Sequence, residues 1–223
     1  RALQSENPQE IVPSADINGH GTRLASIAAG NRNLEEGVSG AAPEAELVIV
    51  KLKPAKEYLR ELYLIPPEAE VFQEDDIMLG ISYAIKCALR YQKPLSVCVG
   101  LGSSQGSHRG DGPLSQYISS IADFTQNCVS VAAGNEGLAR RHYMGLLDEK
   151  TTSDILELRV GAKEAVHGFS MEFWGEASDF YHVTIQSPTG ERLQVSSALK
   201  YGTQELSFVF VETKVMVLSL IHI

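Results

Sequence analysis

The 223-residue chain has no apolar run approaching the roughly 20 residues that span a bilayer, which sets aside a helical membrane-spanning protein. It has little positive charge: 19 lysines and arginines stand against 28 aspartates and glutamates, a formal charge of −9. A nucleic-acid partner needs a basic footprint, so this balance argues against that class. Cysteine is scarce. Cys87, Cys98 and Cys128 make an odd number with no C-x-x-C spacing, which disfavours a disulfide scaffold or a zinc site. Cys98 and Cys128 lie in apolar runs, where a cysteine is expected as a small buried hydrophobe. The single tryptophan, Trp174, is expected in the core of the C-terminal region. An initiator methionine is also lacking, as in a piece of a longer reading frame. What is present, 43% hydrophobic and 21% charged residues, suits a globular chain of one large or two small domains.

The last six residues, Leu218-Ser219-Leu220-Ile221-His222-Ile223, equal the in-frame translation of a transposon-end adapter used in sequencing libraries. The expectation is that native sequence stops near Val217. The alternative is an ordinary apolar strand end.

Residues 1–18, with Pro8 and Pro13, read as polar loop. From His20 to Gly30, Leu24, Ile27 and Ala28 recur at helical spacing and Gly30 is a natural stop, predicting a buried helix. Leu47, Val48, Ile49 and Val50 predict a buried strand. Residues 54–74 are charged and proline-bearing, a surface insertion with one helical turn. Asp75 and Asp76 suit the positive end of a helix to about Tyr91, with Ile77, Ile81, Ala84, Ile85 and Ala88 on one face. Buried strands follow at Leu95 to Val99 and Cys128 to Ala133. Between them lie a glycine-rich loop and a helix begun by Pro113, predicted to run to about Gln126. Strands alternating with helices imply parallel βαβ units, whose ligand sites form at the carboxyl ends of the strands.

After about residue 150 the period becomes two. Leu156, Leu158 and Val160 alternate with polar residues, as do Phe169, Met171 and Phe173, then Tyr181, Val183 and Ile185, then Leu206, Phe208 and Phe210. Short strands with turn signals such as Ser187-Pro188-Thr189-Gly190 predict an antiparallel β-sandwich. The expected domains are 1–150 and 151–217, with 218–223 as adapter.

Three strings carry chemistry. In Asn18-Gly19-His20-Gly21-Thr22, a histidine in the first turn of a helix feels its positive end, which favours a neutral ring able to act as a general base. Taken alone, His-Gly-Thr more often marks a capping or core histidine. In Ala132-Ala133-Gly134-Asn135-Glu136-Gly137, an asparagine past a strand end can aim its amide at a developing oxyanion, although such tripeptides usually mark a turn. In Val99-Gly100-Leu101-Gly102, an extended, small-residue segment leaves backbone groups free to pair with a peptide; a plain glycine-rich connection reads equally well. His108, His142, His167 and His182 have no metal-ligand spacing and read as surface or loop residues. Arg140, Arg141 and His142 read as a solvated cluster, with electrostatic capture of a partner as the minor alternative.

In this order the three strings resemble the subtilisin-like serine protease family. The resemblance implies a three-layer α/β core on a parallel sheet, present in part. It implies His20 as the general base, Asn135 as the oxyanion-hole donor, and Gly100, Leu101 and Gly102 as the wall of the peptide cleft. The family usually has serine at position 100. The run from Gly102 to His108, and Asn135-Glu136-Gly137 followed by Arg141-His142-Tyr143, resembles the clostridial Csp-type branch. That branch inserts a jelly-roll-like β domain between the asparagine and the nucleophilic serine, and the resemblance implies an extracellular or spore-associated setting.

The family triad runs Asp, His, Ser. No Asp-x-Gly motif precedes His20 and no Gly-Thr-Ser-x-Ala motif follows the β region. Asp16 is four residues from the histidine and reads as structural. Ser103 and Ser104 lack the helix-start setting of a nucleophile, and Cys98 and Cys128 lie inside strands rather than at an exposed helix start. The expectation is therefore the middle of a serine endopeptidase acting on peptide or protein, without cofactor or metal. The piece alone is expected to be inactive and poorly soluble because of its exposed sheet edges. The alternative is a catalytically dead pseudoprotease that binds or signals. A β-rich adhesion or scaffold module is a third reading.

Overall fold

The computed structural model describes residues 4–12, 14–160, 168–176, 179–195 and 202–219. The chain divides into two compact units, Arg1–Met171 and Glu172–Ile223. Pro13, His167 and residues 220–223 lie outside the described residues, whereas Leu218 and Ser219 belong to a strand.

The first unit contains α1 (Pro8–Ile11), α2 (His20–Ala29), α3 (Glu57–Leu62), α4 (Glu74–Tyr91), β1 (Leu95–Val99), α5 (Pro113–Ala122) and β2 (Asn127–Val131). α1 is a single turn inside the segment read as loop. α4 begins with Glu74, Asp75 and Asp76, whose charges complement the helix's positive end, and stops where Gln92 takes a left-handed conformation, φ 53°. Pro113 opens α5 as expected, but the helix ends at Ala122 rather than near Gln126. β1 and β2 pair in parallel, Leu95 opposite Asn127 through Val99 opposite Val131. α4 packs on β1, and α5 packs on β2 and α4.

The core follows from that arrangement. Ile77 and Ile81 of α4, Ile121 of α5 and Val99 of β1 form its buried centre, with Val97, Leu101, Leu114 and Val129 packed around them. The helices cover one face of the sheet pair. Leu95, Val97 and Val99 point toward them, while Ser96 and Cys98 face outward. The expectation of strands buried on both faces is thus corrected, and with it the expected burial of Cys98 and Cys128, which are both exposed. α2 likewise has no buried residue.

Residues 47–50 do not form the expected buried strand. They carry no regular secondary structure, with Leu47 and Ile49 more than half exposed, and they join no ladder among the described residues. A run of β-branched residues encodes extended backbone, but a strand also needs a neighbour whose donors and acceptors complete it. This run instead leads into Val50 and Leu52, which lie against α4 at Gly80: a β-carbon there would sit 2.9 Å from Val50 Cγ1.

The second unit holds two antiparallel hairpins, β3 (Val183–Gln186) with β4 (Arg192–Val195), and β5 (Gly202–Phe208) with β6 (Thr213–Ser219). The first turn closes through Gly190 N–H to Ser187 O at 3.0 Å, with Gly190 at φ 90°, where a side chain is strained. Ser187, itself buried, shares a hydroxyl hydrogen bond with Thr189. Glu191 ties the two hairpins together, its carboxylate accepting from the N–H groups of Val209 and Phe210 at 3.0 and 2.9 Å.

Three expectations for the β region are corrected. Residues 156–160 and 169–173 alternate as strands do but join no strand ladder among the described residues. Phe210 lies in the turn after β5 and is 77% exposed. Trp174 is also partly exposed, its Nε1–H donating to Glu172 Oε2 at 2.9 Å, so it is not a core residue.

Candidate active site

The start of α2 is built by side chains that satisfy its orphan backbone donors. Asp16 Oδ2 accepts from both the N–H and the hydroxyl of Thr22 at 2.7 Å, and Oδ1 accepts from the Gly19 N–H at 3.0 Å. The Thr22 hydroxyl, then its backbone N–H, hold the Asp16 carboxyl below the usual carboxylate range. Asn18 Oδ1 accepts from the His20 N–H at 2.7 Å, and the Asn18 amide donates to Glu70 of the 54–74 segment. Gly19, at φ 75°, supplies the left-handed turn that lets this cap form. Asp16 is thus structural, as its spacing suggested.

His20 is the first residue of α2 and is exposed. Its Nε2 lies 2.9 Å from the carbonyl oxygen of Gly100. A carbonyl only accepts, so Nε2 carries the hydrogen in this contact. A β-carbon on Gly100 would sit 2.0 Å from Leu24 Cδ1 and 3.6 Å from His20 Nε2. Glycine at this position therefore matches leucine one turn into α2.

The parallel register brings the other two strings to one edge. Val99 and Val131 are partners at the ends of β1 and β2, and the pairing extends by one bond, Ala132 N–H to Val99 O at 3.0 Å. Residues 100–102 and 132–135 thus leave the sheet side by side, and a β-carbon on Gly102 would come 3.2 Å from Ala132 O. The Leu101 side chain packs onto the core. Gly134, at φ 82°, turns the chain just before Asn135. Asn135 is exposed and has no hydrogen-bond partner among the described residues. His20 and Gly100 are in direct contact, and Asn135 stands at the same strand ends.

Sequence reasoning named Asn18 and Leu24 but gave them no role at the site, and it missed Glu70 altogether. An asparagine two residues before a helix start is a capping signal for Asn18. Glu70 gives no local signal, being 52 residues away.

Among the described residues, no group of three His, Cys, Asp or Glu side chains could hold a metal ion, and no helix is long and apolar enough to cross a membrane.

The model of the subtilase family matches residues 4–156. The chain belongs to the subtilase family. The intracellular serine protease of Paenibacillus polymyxa is 35% identical over 122 residues, which is 55% of this chain and 30% of that protein. The solved structure of the CspB protease of Clostridium perfringens superposes with a TM-score of 0.68 at 28% identity, over 92% of this chain and 40% of that one. The chain is thus a subtilisin-like, Csp-type subtilase with an α/β core, spanning less than half the length of either relative.

Proposed function

We propose that this subtilase chain is part of a serine-type endopeptidase that hydrolyses peptide bonds in a peptide or protein substrate without a cofactor. The observation that supports this most is His20, held at the start of α2 with Nε2 directed at the edge where residues 100–102 emerge. In turnover a serine hydroxyl from elsewhere in the protein attacks the scissile carbonyl, and His20 Nε2 takes its proton. That nitrogen must then present a lone pair, so the ring exchanges its hydrogen bond to Gly100 O for the nucleophile and moves its hydrogen to Nδ1, where the family's aspartate accepts it. His20 returns the proton to the leaving amine, and water releases the acyl group by the same route. The Asn135 amide donates to the oxyanion, and the backbone of Gly100, Leu101 and Gly102 pairs with the substrate as an added strand. The hairpins β3 to β6 are part of an inserted jelly-roll-like β domain.

The test uses the intact protein. A fluorophosphonate probe labels the wild type, and His20→Ala abolishes labelling. Asn135→Ala lowers kcat by about 100- to 1000-fold with KM little changed, the loss known for this donor in subtilisin itself. An intact wild-type chain that neither labels nor cleaves is a catalytically dead binding protein, and the endopeptidase reading is lost.

A further inference from the structure

Beyond His20 and Asn135, the loops that follow β1 and β2 enclose a cleft of about 280 Å³ whose lining includes Ser104, His108, Glu136, Arg140 and His142. Its walls continue directly from the proposed peptide-binding residues: Ser104 lies two positions after Gly102, and Glu136 immediately follows Asn135. The imidazoles of His108 and His142 lie against each other across the two loops, with ring centroids 4.3 Å apart and planes inclined by 38°. His108 Nε2 donates to Ser104 O at 3.1 Å, which secures that ring.

The charges in the cleft do not cancel. Glu136 is neutralised by Arg141, whose Nη1 donates to both carboxylate oxygens at 3.0 Å. Arg140 has no ion-pair partner among the described residues, so one guanidinium is left over. His108 and Arg140 both adopt left-handed backbone, at φ 58° and 52°.

We propose that this cleft receives an acidic side chain of the substrate peptide. Arg140 supplies the counter-charge, and its planar fork matches a carboxylate. The imidazole pair forms the adjoining wall. The proposal rests on the endopeptidase reading and names a specificity for it: substrates with Glu or Asp at the position that enters the cleft. Because the cleft is open to solvent, the discrimination is modest, at most about fivefold against the amide isostere.

Intact protein is assayed on paired peptides that carry Glu or Gln at successive positions around the scissile bond. At one position kcat/KM is up to about fivefold higher for Glu; Arg140→Ala brings that ratio near one, and Arg140→Glu inverts it. The ratio is internal to each variant, so partial misfolding does not affect it. Equal rates for every pair, or a preference that persists in Arg140→Ala, overturns the proposal while leaving the endopeptidase intact. If no peptide is cleaved, the endopeptidase reading falls instead. Calorimetric titration with the same peptides then decides the cleft: tighter binding of the Glu peptide supports it, and equal affinities overturn it.

Discussion

The two units reach order by different routes. In the first, β1 and β2 meet although Leu95 and Asn127 stand 32 positions apart, and the helices α4 and α5 pack over one face of the pair. In the second, the strands pair as two local hairpins, β3 with β4 and β5 with β6, and short turns at residues 187–191 and 209–212 set the register. Non-local pairing gathers His20, Gly100 and Asn135 at one strand edge from three distant stretches. Hairpins cannot do this, because each brings together only what was already near in sequence. The site-bearing strings accordingly all lie in the first unit.

Core truncations give the largest test of that difference. Phe208, 5% exposed, anchors β5; Phe208→Ala costs about 3–5 kcal/mol. It raises hydrogen exchange across β5 and β6 and leaves β1 and β2 protected. Ile121→Ala, at 4% exposure, costs about 2–5 kcal/mol and produces the opposite pattern. If both variants loosen all the strands equally, the units are one cooperative body and the comparison fails.

A smaller effect separates cap from core. Asp16 titrates below its ordinary range in the folded chain, so its contribution is complete above the unfolded value and is lost as pH falls through the lower folded one. The denaturation midpoint of the wild type should exceed that of Asp16→Asn at neutral pH, and the gap should close in strong acid. A gap independent of pH would show that shape, not charge, carries the cap.

The smallest effect is expected where alternation produced no strand. Ile155 is 92% exposed, and Ile155→Ser should change stability by less than about 0.5 kcal/mol. A larger loss on chemical denaturation would reveal a partner for that segment.

The contrast also explains what could be read from the sequence. α2, α4, β1, β2 and the turn at Gly190 were all legible, because each announces itself within a few residues through caps, periodicity or glycine. The runs at 47–50, 156–160 and 169–173 misled, because period and β-branching specify an extended chain and are silent about who pairs with it. Exposure of Cys98 and Cys128 was unreadable for a related reason: a strand's apolar content does not say how many of its faces a helix covers. At the site, the strings around His20 and Asn135 were visible. The Asn18–Glu70 bridge was not, because nothing local to either residue refers to the other.

The fit between Gly100 and Leu24 has an evolutionary consequence. With a β-carbon at position 100 arriving 2.0 Å from the leucine methyl, that side chain has to swing away or shrink before serine, usual in the family, can settle there. The two positions are therefore epistatic, and the order of change matters. A lineage passing between glycine and serine at 100 travels most easily through a smaller residue at 24 first, a path with a step beside His20, the proposed general base, that changes neither His20 nor Asn135.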